Sequence, residues 1–242
     1  MRKYELEKML PEKFITAMKN CEQNNPHHFG TVFEHTKAAL DHYVQTASEV
    51  QDWMCYAIAL HDIGKPSTKT TDEASVDHFY KHSVESVKLA SEFVHETFTE
   101  DDAQKILVLI KMHERQLPKD KKSFKKFQSQ LDDGPLRWMD FADMREADIY
   151  GQVPSEEKIT ELNEFEENAQ VWISEIVAEN YKNHMRKRMP VTAQDLMSIG
   201  IPQNKLSETL DKCLTNYIDN ICYWDTLEAD DLYIKKKLIE ML

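Results

Sequence analysis

The chain has 242 residues, a formal net charge of −13 and five glycines. This length suits one large domain or two modest ones, with a sizeable core. So few glycines disfavour turn-rich β folds and glycine-lined nucleotide folds. Because the chain is acidic, the molecule as a whole repels nucleic acid, and any contact with RNA or DNA must be local. Long charged stretches with recurring apolar residues predict an all-α protein.

The cysteines and the apolar segments bear on the compartment. No CxxC pair occurs among the four cysteines, which favours reduced thiols. The N-terminal "MRKYELEKML" is too polar for a signal peptide, and no apolar run approaches the roughly 20 residues of a membrane span. We therefore expect a cytoplasmic protein without membrane contact.

Apolar periodicity predicts a series of helices along the chain. The first has a break or restart at Pro11, Thr31 and Glu34 have the spacing of a capping box, and Ser155 is the expected N-cap of a long helix. A Gly-Ile-Pro turn near Gly200 separates two later helices. The predicted helical ranges are 4–20, 31–48, 50–62, 80–96, 100–114, 135–150, 155–185, two helices within 191–220, and 225–242.

Histidines and aspartates recur at these helices in a fixed order. Several have apolar residues three or four positions away, which turns them inward. Buried imidazoles and carboxylates are costly unless they are paired or bind metal, and helical proteins build metal sites from such side chains on separate helices. Imidazole and carboxylate ligands suit Mn²⁺, Fe²⁺, Ni²⁺, Co²⁺ or Mg²⁺. The candidate ligands are His35, His61, Asp62, His82, His113 and Asp148.

The segment "AIALHDIGKP", residues 57–66, predicts the end of a buried helix. Gly64 is expected to close that helix in a left-handed conformation, and Pro66 to prevent its continuation. Helix termination does not explain the polar side chains His61, Asp62 and Lys65. Two metal-capable groups beside an amine suit a bound metal and a phosphate. Alternatively, Lys65 is a solvated lysine stabilised by the helix dipole.

The order His, His-Asp, His, His, Asp resembles the HD superfamily of metal-dependent phosphohydrolases. The resemblance implies a helical bundle in which His35, His61, Asp62 and Asp148 hold one metal. His82 and His113 complete a second site, and Asp62 bridges the two. It further implies hydrolysis by metal-bound hydroxide, with one or two divalent ions, and Asp62 and Lys65 as catalytic residues.

The stretches "NPHHFGTVFEHT", "HFYKHSVESVKLA" and "VTAQDLMSIGIPQNKLSETL" extend the resemblance. They are similar to the C-terminal region of bacterial tRNA nucleotidyltransferases (CCA-adding enzymes), over about residues 24–220. About 23 residues precede this region and contain no nucleotidyltransferase motif, so CCA addition is not expected. The implied organisation is an N-terminal helix (1–23), an HD domain (24–152), and a helical arm and tail (153–242).

Several other residues are candidates for binding an anionic substrate. These are Lys65, His28, Arg145 and Arg115. Two basic stretches, residues 119–126 and 182–188, are candidates for RNA contact, with a phenylalanine of the first stacking on a base. In the alternative interpretation, Phe124 and Phe127 anchor a short helix and the lysines are solvated.

Three functions are compatible with these features. The first is hydrolysis of phosphate mono- or diesters, such as nucleotides, 2′,3′-cyclic phosphates or RNA ends. The second is a non-catalytic nucleotide- or RNA-binding module that partners a separate nucleotidyltransferase. The third is a scaffold in which a metal only stabilises the bundle. The expected partner is thus a phosphorylated small molecule or a nucleic-acid end.

Overall fold

A computed structural model describes residues 4–24, 30–152 and 154–242. The chain is 71% helical, and the described residues form thirteen α-helices and two strands of two residues each. The prediction of an all-α protein is therefore confirmed.

Contacts divide the chain into two compact units, residues 1–170 and 171–242. The division falls inside the longest helix, α10 (Glu156–Arg188). The predicted boundary between an HD domain and a helical arm at residue 152 stays a prediction. Elements of the first unit that precede α10 are α1 (Leu6–Met9), α2 (Glu12–Lys19), α3 (Val32–Thr46), α4 (Asp52–Leu60), α5 (Lys65–Thr68), β1 (Thr70–Thr71), β2 (Asp77–His78), α6 (His82–Thr97), α7 (Glu100–Met112), α8 (Lys121–Leu131) and α9 (Trp138–Tyr150).

The helix starts follow from local hydrogen bonds. Thr31 caps α3, because its Oγ1 accepts the backbone N–H of Glu34 at 3.2 Å and the Glu34 carboxylate accepts the backbone N–H of Thr31 at 2.8 Å. This capping box confirms the predicted helix start. Ser155 likewise accepts the backbone N–H of Lys158 at 3.4 Å, as predicted for the start of α10. Pro11 separates α1 from α2.

A bundle of α3, α4, α6, α7 and α9 forms the main body of the first unit. Helix α3 packs against α4 and α9, α4 packs against α7 and α9, and α6 packs against α7. The facing sides are apolar and buried, for example at Ala39, Ile58, Leu109 and Ala147. Polar side chains on these inward faces consequently meet in the interior of the bundle.

Gly64 allows a close approach between two parts of the bundle. A Cβ at this position would lie 2.4 Å from the carbonyl oxygen of His82 and 2.6 Å from the amide nitrogen of Ser86. The expectation of a left-handed conformation is wrong, since Gly64 has φ −83° and ψ −16°. The glycine is needed here because the turn after α4 lies directly against the start of α6. Pro66 lies in the first turn of α5, where a missing N–H is tolerated.

Residues 121–126 of the basic stretch 119–126 form the first half of α8. Phe124 and Phe127 are fully buried, and their rings lie 6.4 and 5.9 Å from the ring of Phe165 on α10. The expectation that a phenylalanine here stacks on a base is therefore wrong, and the alternative of a helix anchored by both rings is confirmed. RNA contact by this stretch stays a prediction. Because both phenylalanines are buried, its lysines would have to make that contact.

The second unit contains the rest of α10 and four further short or medium elements. They are α11 (Ala193–Ser198), a 3₁₀ turn (Gln203–Lys205), α12 (Leu206–Thr226) and α13 (Asp231–Glu240). Their core is a separate apolar cluster made of Met185, Met189, Val191, Leu196, Cys213, Leu214, Tyr217, Ile221, Trp224, Ile234 and Leu238. The two helices predicted across the Gly-Ile-Pro turn correspond to α11 and α12. Across the described ranges, no helix combines the length and the apolar character needed to cross a membrane.

Candidate metal centre

Five elements of the first unit deliver the predicted ligands to one place. His35 lies in α3, His61 and Asp62 directly follow α4, and His82 opens α6. His113 directly follows α7, and Asp148 lies in the last turn of α9. All except Asp148 are buried, with 5% or less of the residue exposed; the Asp148 side chain is 15% exposed.

The first group of ligands consists of His35, His61, Asp62 and Asp148. Nε2 of His35 lies 3.3 Å from Oδ2 of Asp62 and 3.1 Å from Oδ1 of Asp148. Nε2 of His61 lies 3.1 and 3.6 Å from the same two oxygens. The four side chains therefore direct two imidazole nitrogens and two carboxylate oxygens at one point.

The second group shares Asp62 with the first. Oδ1 of Asp62 lies 3.0 Å from Nε2 of His82 and 3.6 Å from Nε2 of His113. The two imidazole nitrogens are 3.0 Å apart. Within each triad, His35–His61–Asp62 and Asp62–His82–His113, the potential ligand atoms lie within 4.8 Å of one another. Thus Oδ2 of Asp62 faces the first group and Oδ1 faces the second, which is the arrangement of a bridging carboxylate.

Three of the four imidazoles are oriented by the same local hydrogen bond. In each, Nδ1 donates to the backbone carbonyl three residues earlier, so in the neutral ring Nε2 carries the lone pair and faces the centre. Such support fixes the tautomer and the ring orientation of a metal-binding histidine. The bonds are His61 to Ile58 at 2.7 Å, His82 to Phe79 at 2.9 Å, and His113 to Ile110 at 2.7 Å.

The pKa values of the histidines are shifted in opposite directions. Burial lowers the pKa of His61, but the charges of Asp62 and Asp148 outweigh burial and raise this pKa to about 10. Burial and the neighbouring charge of His61 lower the pKa of His113 to about 3. Burial raises the pKa of the Asp62 carboxyl, yet His61 and Lys65 hold it well below its usual range. The carboxylates are therefore charged and His113 is neutral at neutral pH, while His61 must lose a proton to become a ligand.

Lys65 is an integral part of this cluster. Its Nζ lies 2.6 Å from Oδ2 of Asp62 and donates to Oε1 of Gln23 at 2.9 Å. The ammonium also lies 5.5 Å from the centre of the Phe79 ring. Only 4% of the residue is exposed, so the alternative of a solvated lysine is wrong.

The residues present fit a divalent metal. The two triads combine imidazole nitrogens with carboxylate oxygens, a donor set that suits first-row divalent ions and Mg²⁺ rather than a thiolate-bound metal. Buried carboxylates and imidazoles at such short separations need a compensating partner, which a cation would supply. The donor set and its burial therefore fit a site for a divalent ion.

The predicted substrate-binding residues have different positions. Arg145 donates from Nη1 to the carbonyl of His113 at 2.9 Å and lies 3.4 Å from Oδ2 of Asp148, so it braces two ligands. Arg115 is exposed and lines a cavity of about 330 Å³ with neighbours such as Glu114. His28 lies outside the described residues.

Two residues next to the centre, Gln23 and Gly151, are not predicted from the sequence. Gln23 is 3% exposed and contacts Lys65, but no feature of the polar loop sequence distinguishes it from Asn24 beside it. Gly151 closes the space over His35, since a Cβ there would lie 2.9 Å from Nδ1 and Cε1 of that ring. The end of a helix at Gly151 is a recognisable signal, but its closeness to His35 depends on tertiary packing.

Comparison with known families decides the affiliation of this bundle. The HD domain family matches residues 32–153, which is half of the chain. The chain belongs to the HD domain family. No curated protein and no solved structure gave a match.

The HD domain of this chain includes all six candidate metal ligands and Lys65, because they lie between residues 35 and 148. Proteins with an HD domain are generally metal-dependent hydrolases. The buried carboxylate–imidazole centre agrees with that chemistry. Gln23 lies before the matched range.

Proposed function

We propose that this chain is a metal-dependent phosphohydrolase that cleaves phosphate mono- or diesters. The position of Asp62 carries the proposal. Its Oδ2 lies within 3.3 Å of His35 and His61, and its Oδ1 lies 3.0 Å from His82. One carboxylate can therefore serve two cation positions, as required of a bridging ligand in a two-metal hydrolase. A bound divalent cation would lower the pKa of its water and withdraw charge from phosphoryl oxygens.

The side chains around this centre have separable roles. His35, His61 and Asp148 would bind the first cation, while His82 and His113 would bind the second. Lys65 contributes a fixed positive charge beside the bridging carboxylate. A positive charge held in a buried position stabilises the negative charge that develops on a phosphoryl group or leaving oxygen.

The class of substrate is proposed from chemistry and from resemblance. A centre that combines two cation positions with an ammonium group suits the phosphate group more than any part of the attached alcohol. The likeness of residues 24–220 to tRNA nucleotidyltransferases favours nucleotides, 2′,3′-cyclic phosphates and RNA ends as test substrates. We place none of these ahead of the others.

Hydrolysis by metal-stripped protein tests the proposal. The protein is re-supplied singly with Mn²⁺, Fe²⁺, Ni²⁺, Co²⁺ or Mg²⁺ and given p-nitrophenyl phosphate, bis(p-nitrophenyl) phosphate and a 2′,3′-cyclic nucleotide. Asp62→Ala removes the bridging carboxylate. His42→Ala is the matched control, because His42 contacts Glu146 at 3.3 Å and belongs to neither triad.

Metal-dependent turnover that survives in His42→Ala and disappears in Asp62→Ala supports a phosphohydrolase. Absence of turnover with every metal and ester, from a folded protein that binds metal, contradicts it. In that case the second hypothesis, a binding module, predicts nucleotide or RNA affinity that persists in Asp62→Ala. A protein that unfolds on removal of metal and shows neither property matches the scaffold hypothesis.

A further inference from the structure

The Lys65 ammonium and a divalent cation in the first group would both bind Oδ2 of Asp62. The Lys65 ammonium lies 2.6 Å from Oδ2 of Asp62, and this oxygen also faces His35 and His61. A cation bound there would repel the ammonium, because like charges at such distances interact strongly in a buried site. The ammonium cannot simply be left without an acceptor, since burying an unpaired charge is very unfavourable.

Gln23 is the second acceptor of the Lys65 ammonium. Its Oε1 lies 2.9 Å from Nζ, and both side chains are buried. A lysine only donates hydrogen bonds, so the amide oxygen of Gln23 must be the atom that faces it. The amide nitrogen, Nε2, consequently points elsewhere, and it is buried without an acceptor among the residues that the structure describes.

The short segment 21–24 that carries Gln23 is fixed on both sides. On one side, the backbone N–H of Gln23 donates to the carbonyl of Gly30 at 3.0 Å. On the other side, the backbone N–H of Asn24 donates to Oδ2 of Asp77 at 2.8 Å, and the N–H of Asp77 donates back to the carbonyl of Asn24 at 2.8 Å. Lys69 ties the same segment down, because its Nζ lies 2.6 Å from the Glu22 carbonyl and 2.7 Å from the Asp77 carboxylate.

We propose that Gln23 is a positioning residue that holds the Lys65 ammonium beside Asp62 when a divalent cation occupies the first group. This inference rests on the proposed function, since it assigns Lys65 a place next to a metal-bound phosphate ester. Gln23 acts through Lys65 and not on the ester's reacting atoms.

Two substitutions of Gln23 separate this role from simple packing. Gln23→Leu has a similar size but no acceptor, so among the described residues the ammonium of Lys65 keeps Asp62 as its acceptor and competes with the cation for Oδ2. Gln23→Glu keeps an acceptor and adds a negative charge, which attracts the ammonium and neutralises it. The leucine variant should therefore weaken metal binding, whereas the glutamate variant should keep metal binding and weaken action on the phosphate.

The experiment measures Mn²⁺ affinity by calorimetry on the full chain, in parallel with kcat and KM for bis(p-nitrophenyl) phosphate. Gln23→Leu should bind Mn²⁺ about 10- to 100-fold more weakly, the range for loss of support behind metal ligands. Gln23→Glu should bind Mn²⁺ about as tightly as the unaltered chain, with kcat reduced at least about tenfold. Gln104→Leu is the control, because Gln104 bonds the carbonyl of Asp133, outside both triads.

The two proposals fail in different ways. Mn²⁺ affinity of Gln23→Leu equal to that of Gln104→Leu would overturn the role of Gln23, whether or not the chain hydrolyses the ester. Absence of turnover in the unaltered chain, with Mn²⁺ affinity still lost in Gln23→Leu, would overturn the hydrolase and leave the positioning of Lys65 supported. Thermal unfolding of each variant identifies any that does not fold, and Gln23→Glu then decides between the outcomes.

Discussion

The ammonium nitrogen of Lys65 lies 2.6 Å from Oδ2 of Asp62, and both side chains are almost completely buried. A buried ion pair of this kind is strongly destabilised when one partner is removed, because the other charge remains in the interior without compensation. In the metal-free protein, this pair links the stability of the bundle to the side chains of its proposed catalytic centre.

Asp62→Ala should therefore destabilise the metal-free protein by about 3 kcal/mol, since among the described residues Lys65 then keeps only the neutral acceptor Gln23. The double variant Asp62→Ala/Lys65→Met should recover part of that loss, because it removes both charges. Urea unfolding of metal-stripped protein measures both. The exposed pair between Arg186 and Asp211 supplies the control, since Asp211→Ala should change stability by less than about 1 kcal/mol. Equal losses in Asp62→Ala and Asp211→Ala would contradict the prediction.

The two ligand groups predict two bound cations, each held by a different pair of histidines. His82→Ala removes a ligand of the second group and leaves His35 and His61 in place, so bound Co²⁺ should fall from two ions to one per chain. Metal content after equilibration and desalting, measured by plasma emission, tests this. His42→Ala should retain both ions because His42 lies in neither triad. Loss of both ions in His82→Ala would mean that the two positions do not fill independently.

A side chain at position 151 would collide with His35, a ligand of the first group. The backbone of Gly151 is right-handed helical, so alanine is tolerated conformationally, yet the new Cβ would lie 2.9 Å from the His35 ring. Gly151→Ala should displace that ring and weaken binding of the first Co²⁺ ion by about tenfold or more. Gly134→Ala is matched, because its Cβ would lie 2.8 Å from Val108, an apolar neighbour. Both variants should lose about 1–3 kcal/mol of stability from overpacking.

Cobalt titration monitored by absorbance, together with urea unfolding, distinguishes these effects. Gly134→Ala should bind Co²⁺ as the unaltered chain does while losing stability. If both glycine variants lose the same Co²⁺ affinity, the effect of Gly151→Ala comes from general destabilisation and not from contact with His35.

The order of the ligands could be read from the sequence for a physical reason. Helical periodicity places a polar residue with apolar neighbours on an inward face, and several such residues on separate helices must meet in one core. The position of Lys65 three residues after Asp62 also predicts their proximity. Which oxygen of Asp62 faces which histidine depends instead on how α3, α6 and α7 pack, and local sequence does not encode it.

The errors have the same origin. The neighbours of Gly64 in sequence predict a left-handed helix end, but the glycine is required by the close approach of Ser86, which lies 22 residues away. The lysines around Phe124 suggest base stacking, yet its ring is buried and packs near Phe165 of α10. Gln23 gives no local signal because its function depends on the buried end of Lys65. In all three cases a long-range contact determines what the residue does.

Asp143 on α9 predicts how stability depends on pH away from the metal centre. Burial and the neighbouring charges of Asp140 and Glu146 raise the pKa of Asp143 to about 6, whereas an unfolded aspartate titrates near about 4. Between these values the folded state binds the proton more tightly than the unfolded state. Protonation of Asp143 thus contributes to the stability of the fold. This contribution is fully present below about pH 4 and is lost as the pH rises through about 6.

Asp143→Asn should accordingly raise the melting temperature at pH 7, and the gain should disappear towards pH 4. Solvent screens the exposed Asp143 side chain, so the effect should be at most about 1 kcal/mol, or about 2–4 °C for a chain of this size. Thermal unfolding by circular dichroism between pH 4 and 7 measures the difference. Asp219→Asn, at an exposed position of α12, provides the baseline for replacing an aspartate. A gain in Asp143→Asn that is constant with pH would show that the neighbouring carboxylates do not repel Asp143.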